Sequence, residues 1–328
     1  MQNPAQANSI IKPSKIASPG RDLLMKAPSF TGHQTFALRS SWLKKGIDEL
    51  RTNLHIFADE DALVKLGVGK NMVVAIRHWL LVTKLANSLT DRGVDLQPTE
   101  LGDFLLADDG VDPYLEDPAT LWILHWNLCG PGSIAFTWAF AFNIFREWEW
   151  TSTSLANAVS IAARAISAKT SSQETVERDV NVFIQTYLAP SDRGQNAEDG
   201  LDCPLRELGL VRSGFGGNQQ LTFAIGPKPS LPPSVFAWAL IEFWQLNYLN
   251  NYTIAVRDIV NAEGSPGVVF KLDEDSTLAY LDQLEELTSG VLRFEDTPLV
   301  RQVIKTSDGP LKSLSLLRHH YVAAPNLA

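Results

Sequence analysis

A glycine-containing turn at residues 67–69 separates two helical patterns before it from a longer one after it, and this order limits the folds that the chain can adopt. Before the turn lie a helical pattern over residues 42–54 and a shorter one that begins with acidic residues and ends at Leu66. After the turn, a longer helical pattern starts at Lys70. Helix, short helix, glycine turn and long helix is the order of a helix-turn-helix. We therefore predict that motif over residues 30–84.

The long helix is predicted to have one apolar face and one cationic face. With about 100° of rotation per residue, the apolar face groups Met72, Ala75, Ile76, Trp79, Leu80 and Thr83. The opposite face groups Lys70, Val74, Arg77, His78, Leu81 and Lys84. Because lysine and arginine reach phosphates and base edges, such a face is typical of a helix that reads DNA. A surface helix with solvated charges has the same pattern, so it is the preceding glycine turn that favours DNA.

Segments on either side of the long helix complete the predicted DNA-binding surface. Residues 88–98 are expected to form a strand, a turn and a second strand, which would be the wing of a winged helix with Arg92 at its tip. The polar loop at residues 31–39 and the first helix add further donors and cations. The predicted DNA-binding residues are Gln34, Lys44, Lys45, Lys70, Asn71, Arg77, His78, Lys84 and Arg92.

The charge distribution favours double-stranded DNA as a partner even though the whole chain is acidic. The formal net charge is −9, yet residues 31–84 hold eight Lys or Arg against five Asp or Glu. Salt screens charges beyond about 8–10 Å, so a basic module on an acidic body can still dock DNA. We expect the affinity to be modest and to fall steeply with salt.

Composition excludes several classes of protein. A hydrophobic fraction of 45% is that of a globular chain. The two cysteines, Cys129 and Cys203, form no CxxC pair, which excludes a zinc ribbon and indicates a reducing compartment. The apolar run 121–145 is interrupted by polar residues and glycines, so it predicts two core helices and not a membrane span. Because residues 1–28 contain no secretory signal, we expect a cytoplasmic protein.

The predicted fold class is mainly α, with winged helix-turn-helix modules joined by an all-helical middle domain and with small β-hairpins. Residues 189–202, rich in Pro, Ser, Asp and Gly, are the clearest linker signal. A second winged-helix-like module is predicted at residues 253–306 from two helices, 253–262 and 273–288, followed by a hairpin. The predicted segments are a disordered tail (1–28), an N-terminal winged-helix-like DNA-binding domain (29–112), a helical domain (113–190), a linker (191–202) and a C-terminal α+β domain (203–328).

Two polar clusters are candidates for catalysis. His33 is a candidate general base or metal ligand, and Arg39 is a candidate phosphate clamp. Glu116 and Asp117 lie in an acidic stretch suited to Mg²⁺ or Mn²⁺. Non-catalytic roles stay open for both clusters. The loop residues are also typical of helix caps, and the acidic residues are also typical of caps and of side chains exposed to solvent. Residues 64–71 lack the first glycine and the Ser/Thr of a phosphate-binding loop, so we expect no nucleotide cofactor.

Three separated motifs resemble those of a known bacterial family. They are Phe-Thr-Gly-His-Gln-Thr-Phe at residues 30–36, Leu-Gly-Val-Gly-Lys-Asn-Met at residues 66–72 with Arg77 and Trp79, and Asp-Pro-Tyr-Leu-Glu-Asp-Pro-Ala-Thr-Leu-Trp at residues 112–122. In this order they are similar to the SspB-type family, long described as a domain of unknown function and linked to DNA phosphorothioation genes. That family includes the nicking subunit of the SspABCD system.

The resemblance implies a role in installing sulfur in the DNA backbone and in antiviral defence, with this chain nicking the DNA. It implies as partners a cysteine desulfurase, an adenylating reductase-like enzyme and an ATPase. It assigns no catalytic residue. Two alternatives remain open: a non-enzymatic DNA-binding adaptor or regulator that recruits the phosphorothioation enzymes, and a scaffold whose acidic body docks them. A homodimer is also open.

Overall fold

The computed structural model describes residues 28–90, 93–167, 171–188, 203–214, 220–306 and 313–323. Most of these residues lie in helices, and the strands form small antiparallel sheets, which confirms the mainly-α class. None of the described helices is both long enough and apolar enough to cross a lipid bilayer. Arg92, the predicted linker 191–202 and all of the predicted tail except its last residue lie outside the described residues.

The N-terminal segment has the predicted element order. It contains α1 (Ser40–Thr52), a 3-10 turn (Ile56–Ala58), α2 (Ala62–Leu66), α3 (Lys70–Val82), β1 (Ala86–Ser88), β2 (Leu96–Pro98) and α4 (Glu100–Leu106). Gly67 ends α2 in the left-handed conformation with φ 64°, which glycine adopts without steric cost. The two strands pair antiparallel, Ala86 with Pro98 and Ser88 with Leu96. A turn and a hairpin therefore flank α3.

The middle segment differs from the all-helical prediction in one element. It contains α5 (Pro118–Cys129), α6 (Phe136–Asn143), β3 (Glu149–Trp150), α7 (Ser152–Ile166) and α8 (Gln173–Tyr187). Helix α6 ends at Asn143, and the chain then extends into β3. That strand pairs antiparallel with Leu221 and Thr222, far along the sequence. Strand formation depends on such a partner, so local propensity does not reveal it.

The C-terminal segment mixes helices and strands. It contains a 3-10 helix (Pro204–Leu208), β4 (Val211–Ser213), β5 (Leu221–Phe223), α9 (Pro233–Asn247), β6 (Thr253–Ala255), α10 (Val256–Asn261), α11 (Pro266–Val269), α12 (Glu274–Leu281), α13 (Leu284–Leu287), β7 (Leu292–Asp296), β8 (Arg301–Lys305) and α14 (Ser313–Ala323). The predicted helix 253–262 is wrong in its first turn, because Ile254 pairs with Val303 as part of β6. The predicted helix 273–288 is divided into α12 and α13. The last sheet has the strand order β6-β8-β7.

One hydrophobic core runs through all three segments. Trp79 of α3 and Trp138 of α6 meet edge to face with ring centroids 5.7 Å apart, which joins the N-terminal segment to the middle one. Trp79 is fully buried and its Nε1 donates to the Phe36 carbonyl at 3.2 Å. Ala75, Ile76 and Leu80 are also fully buried, so the predicted apolar face of the long helix is confirmed. A smaller core lies under α2 and is formed by Ala62, Leu66 and Val73.

His125 ties three helices together inside the large core. Its Nε2 donates to the Val269 carbonyl at 2.9 Å, and its Nδ1 accepts from the Tyr187 hydroxyl at 2.8 Å. Burial lowers the pKa of His125 to about 3. The ring is therefore neutral at neutral pH, which is the form that satisfies both hydrogen bonds.

Two buried lysines of the C-terminal segment donate to backbone carbonyls, and one of them, Lys271, reaches the middle segment. Lys228 donates through Nζ to three backbone carbonyls, including that of Lys271. Lys271 donates through Nζ to the Phe142 carbonyl at 2.6 Å and faces the Phe223 ring at 4.5 Å. Burial lowers the pKa of Lys271 to about 7 and that of Lys228 to about 8. These amines hold backbone carbonyls of the core in place.

Removing the Trp79 side chain tests the packing of α3. We expect Trp79→Ala to lower the free energy of unfolding by roughly 3–5 kcal/mol, because a buried aromatic leaves a cavity behind. Val64→Ala is the control, since Val64 is 81% exposed, and it should change stability by less than about 0.5 kcal/mol. Urea unfolding followed by circular dichroism measures both. A Trp79→Ala variant as stable as wild type would contradict this packing.

Candidate nucleic-acid interface

The polar loop before α1 has an unusual backbone. Gln34 and Thr35 are consecutive non-glycine residues with positive φ, 50° and 65°, a conformation that L-residues rarely adopt. Two turn bonds shape the loop, one from the Gln34 N–H to the Thr31 carbonyl and one from the Phe36 N–H to the His33 carbonyl. Such strain persists only where the surroundings hold the backbone in place. The anchors of the loop must therefore lie in the buried part of the protein.

His33 is the main anchor of this loop. It is 2% exposed, and its Nδ1 accepts the Thr35 backbone N–H at 3.0 Å. Its Nε2 then carries the proton and donates to the Asp179 carboxylate of α8 at 2.7 Å. Thr137 donates its hydroxyl to the other Asp179 oxygen. Burial raises the pKa of Asp179, and the hydrogen bonds from His33 and Thr137 oppose that rise.

Both ring nitrogens of His33 are engaged in these hydrogen bonds. One of the two bonds would have to break before His33 could act as a general base. The catalytic role of His33 stays a prediction. Sequence reasoning did not find Asp179 as its partner, because an acid on a distant amphipathic helix resembles any solvated charge. The residues are 146 positions apart in the chain.

Gly32 allows the loop to lie directly against α3. A Cβ atom at Gly32 would stand 2.2 Å from Nδ1 of His78, so any larger residue forces the ring or the loop to move. The His78 ring also packs edge to face on His33 with centroids 5.6 Å apart. Burial lowers the pKa of His78 to about 3, and the positive charge of Arg77 acts in the same direction. His78 is therefore neutral at neutral pH and brings no positive charge to α3.

Several of the predicted DNA-binding cations are bonded within the protein. Arg77 donates to the Gly93 carbonyl, and Lys84 donates to the Pro131 carbonyl at 3.0 Å. Lys44 forms ion pairs with Asp48 and Asp108 at 2.5 and 2.7 Å. The candidate clamp Arg39 lies over the Trp42 ring at 5.1 Å and beside Phe36. These contacts compete with phosphate for the same side chains.

Among the predicted DNA-binding residues that the structure describes, the exposed ones lie around the start of α3. Lys70 is the first residue of that helix and is exposed, as is Asn71 next to it. Lys45 of α1 is exposed too, and its Nζ lies 3.5 Å from the Leu66 carbonyl, beside the turn that leads into α3. Gly69, at the N-cap, has no side chain that could accept the first N–H groups of the helix. Two lysines thus adjoin the positive end of the helix dipole.

A cleft of about 280 Å³ opens between the polar loop, the start of α3 and α8. We name it the loop–helix cleft, and it is lined by Phe30, Thr31, His33, Gln34, Thr35, Asn71, Thr175 and Arg178. The structure thus brings the predicted residues His33, Gln34 and Asn71 together. Sequence reasoning missed Thr175 and Arg178, because nothing in the pattern of α8 indicates which helix it faces.

The acidic stretch before α5 is largely used to shape the chain. Asp112 accepts the backbone N–H groups of Glu116 and Asp117 and the hydroxyl of Thr120. Asp117 caps α5 through the Ala119 N–H at 2.8 Å and accepts from His320 at 3.2 Å. Glu116 is exposed. Across the described ranges, no three His, Cys, Asp or Glu side chains are grouped as metal ligands. The metal role of Glu116 and Asp117 stays a prediction, and we derive no catalytic step from it.

A glycine substitution tests the contact between the loop and α3. Gly32→Ala should lower the free energy of unfolding by about 1–3 kcal/mol, because the added methyl group overpacks against His78. Val64→Ala is again the control, since Val64 is 81% exposed, and it should change stability by less than about 0.5 kcal/mol. Urea unfolding measures both variants. Equal unfolding midpoints would show that the loop does not press against His78.

Comparisons with known proteins place the chain in a family. A family model described as "Protein of unknown function (DUF4007)" matches residues 30–321. A solved structure described as "Magnesium ion-bound SspB crystal structure" is 32% identical, with a TM-score of 0.83 over 92% of this chain and 91% of that one. A second, "SspB crystal structure", is 31% identical, with a TM-score of 0.82 over 93% and 92%. No curated protein matches. The predicted family is confirmed: this chain belongs to the DUF4007 family and is of the SspB type.

Proposed function

We propose that this protein binds double-stranded DNA through its N-terminal segment and nicks it as part of a bacterial DNA phosphorothioation system. The observation that carries the proposal is the likeness to SspB over more than nine-tenths of both chains. The exposed lysines at the start of α3 support it, because cations at the positive end of a helix attract a phosphate backbone.

The element order supports a winged helix for each end of the chain. In the N-terminal segment, α1, α2 and α3 are followed by the antiparallel strands β1 and β2, which suits a helix-turn-helix with a wing. In the C-terminal segment, β6, α10, α12, β7 and β8 follow α9, and β8 lies between β6 and β7. We assign DNA docking to the first of these modules.

The second module has cations that are paired with acids. Arg301 forms ion pairs with Glu274 at 2.7 Å and Asp296 at 3.1 Å, and Arg293 pairs with Glu285 at 3.1 Å. Charges neutralised in this way attract a phosphate backbone weakly. We therefore assign the binding of partner enzymes to this acidic module. The partners that the family resemblance implies are a cysteine desulfurase, an adenylating reductase-like enzyme and an ATPase.

The cations of α3 support docking by the first turn of the helix. Arg77, further along the helix, and Lys84, just past its end, donate to backbone carbonyls of the protein itself. Lys45, Lys70 and Asn71 surround the first turn and face solvent. A helix that approaches DNA with its first turn offers backbone N–H groups as well as side chains to the phosphates.

A nick needs a stabilised phosphorane and an activated water. The solved relative described as magnesium-bound makes Mg²⁺ the metal to test, with Mn²⁺ as the alternative. Magnesium often binds through one or two carboxylates together with water and substrate phosphates. Glu116 offers one exposed carboxylate, whereas Asp117 is already bonded to His320.

The second candidate function is a non-enzymatic DNA-binding adaptor that recruits the phosphorothioation enzymes. Its support is that both nitrogens of the candidate base His33 are engaged in hydrogen bonds. An adaptor requires the same docking surface and no base.

Lysine substitutions test the docking surface. Lys45→Ala and Lys70→Ala should each weaken duplex binding and reduce the slope of log K against log salt by about 0.9, the value for one lost phosphate contact. Arg164→Ala on α7 is the matched control, since it removes one exposed positive charge from another helix. Fluorescence anisotropy over a salt series measures binding. If both lysine variants behave like the Arg164 variant, DNA docks elsewhere.

A plasmid-relaxation assay with Mg²⁺ or Mn²⁺ separates nickase from adaptor. As a nickase the protein relaxes supercoiled plasmid, and His33→Ala and Arg39→Ala should abolish relaxation, while His55→Ala, an exposed histidine paired with Asp95, should not. Binding and unfolding are measured on the same preparations. Loss of relaxation alone indicates a catalytic His33, whereas joint loss of relaxation, binding and stability indicates an anchor. Binding without relaxation by wild type would leave the adaptor.

A further inference from the structure

We propose that the loop–helix cleft is a phosphate-binding site in which Arg178 of α8 supplies the positive charge. This inference rests on the proposed function for the source of the phosphate, which is then the DNA backbone. It assigns a role in DNA contact to the middle segment, outside the predicted DNA-binding domain.

The chemistry of the lining is that of an anion site. In a chain of net charge −9, the cleft is lined by three threonines, two amides, a histidine, a phenylalanine and an arginine, with no carboxylate. Two other clefts differ in this respect. One is lined by Glu100, Asp103 and Asp109 as well as two arginines, and the other includes Glu274. Hydroxyl, amide and guanidinium groups donate to phosphate oxygens, whereas a carboxylate repels them.

The groups on the two sides of the cleft come from different segments. Thr31, Gln34 and Thr35 belong to the polar loop and Asn71 to the first turn of α3, while Thr175 and Arg178 belong to α8. Arg178 precedes Asp179, which is bonded to His33. The buried His33–Asp179 bond thereby holds the Arg178 side of the cleft opposite the loop.

Arg178 is available for an incoming anion. Its side chain is 66% exposed, and its ion pair with Glu174 has a separation of 3.7 Å between two exposed groups. Such pairs on a helix surface contribute about 0.3–0.5 kcal/mol, so a phosphate can displace the Glu174 carboxylate. The neighbouring Asp179 is turned inward and is 2% exposed, so it does not oppose an anion at the surface.

The size of the cleft suits a phosphate group with part of its sugar. Pockets for drug-sized ligands have volumes of about 300–1,000 Å³, and this one is about 280 Å³. Asn71 lines the cleft and Lys70 precedes it in α3. A backbone docked on the first turn of α3 therefore has a phosphate within reach of the cleft.

Substitution of Arg178 tests the site in the full-length protein. Arg178→Gln should lower the affinity for a fluorescein-labelled DNA duplex about tenfold, as expected for one lost charge-assisted hydrogen bond. It should also reduce the salt slope by about 0.9. Arg178→Lys should keep the salt slope. The control is Arg164→Gln, which removes an exposed charge on α7, and urea unfolding should show equal stability for all three variants.

The outcomes separate this inference from the proposed function. If wild type binds the duplex and Arg178→Gln matches Arg164→Gln in affinity and salt slope, the inference is overturned and DNA binding stands. If wild type does not bind the duplex, the proposed function fails. Titration with inorganic phosphate, followed by NMR of the Gln34 and Asn71 side-chain amides, then shows whether the cleft binds free phosphate. Shifts that disappear in Arg178→Gln support a site for free phosphate, and no shift in wild type overturns the site.

Discussion

The buried hydrogen bond between His33 and Asp179 is the contact on which the polar loop, α8 and the cleft between them depend. A carboxylate removed from water is costly unless it is hydrogen-bonded, and Asp179 accepts from His33 and from the Thr137 hydroxyl. His33 in turn accepts the Thr35 N–H, which holds the loop in its left-handed conformation. One network therefore sets the shape of the loop and the position of Arg178 beside it. His33, a candidate catalytic residue in the sequence, is buried and joins the polar loop to α8.

The cations of α3 divide into two groups with different physical roles. Arg77 in the second half of the helix and Lys84 just past its end donate to backbone carbonyls of the protein, and the neutral His78 packs against Gly32. At its start, Lys70 faces solvent close to Lys45. A hydrogen bond to a carbonyl leaves the positive charge in place but turns the donors of the side chain toward the protein, whereas a phosphate contact needs donors that face solvent. The surface that can contact phosphate is therefore smaller than a helical projection indicates, and it is concentrated at the first turn.

The core couples the three segments through aromatic contacts and buried polar groups. Trp79 and Trp138 join α3 to α6, and His125 joins α5 to α8 and α11. Lys271 reaches from the C-terminal segment to the carbonyl of Phe142. His125 and Lys271 each have the hydrogen-bond partners that their burial requires. The polar loop therefore packs, through Phe30, against a core that continues into the other two segments.

Local signals in the sequence determined where most of the helices lie and which face of α3 is apolar. Helix α4 begins after Thr99, whose side chain accepts the Gly102 N–H, and the buried face of α3 follows from its 3.6-residue period. The tertiary structure alone decided the pairing of β3 with β5, the partner of His33 and the cations that remain exposed. Periodicity records that a face is apolar but not what covers it, and a hydrogen bond between residues 146 positions apart leaves no trace in either local pattern. The loop–helix cleft is built from such a bond, so its lining residues became visible only in the folded chain.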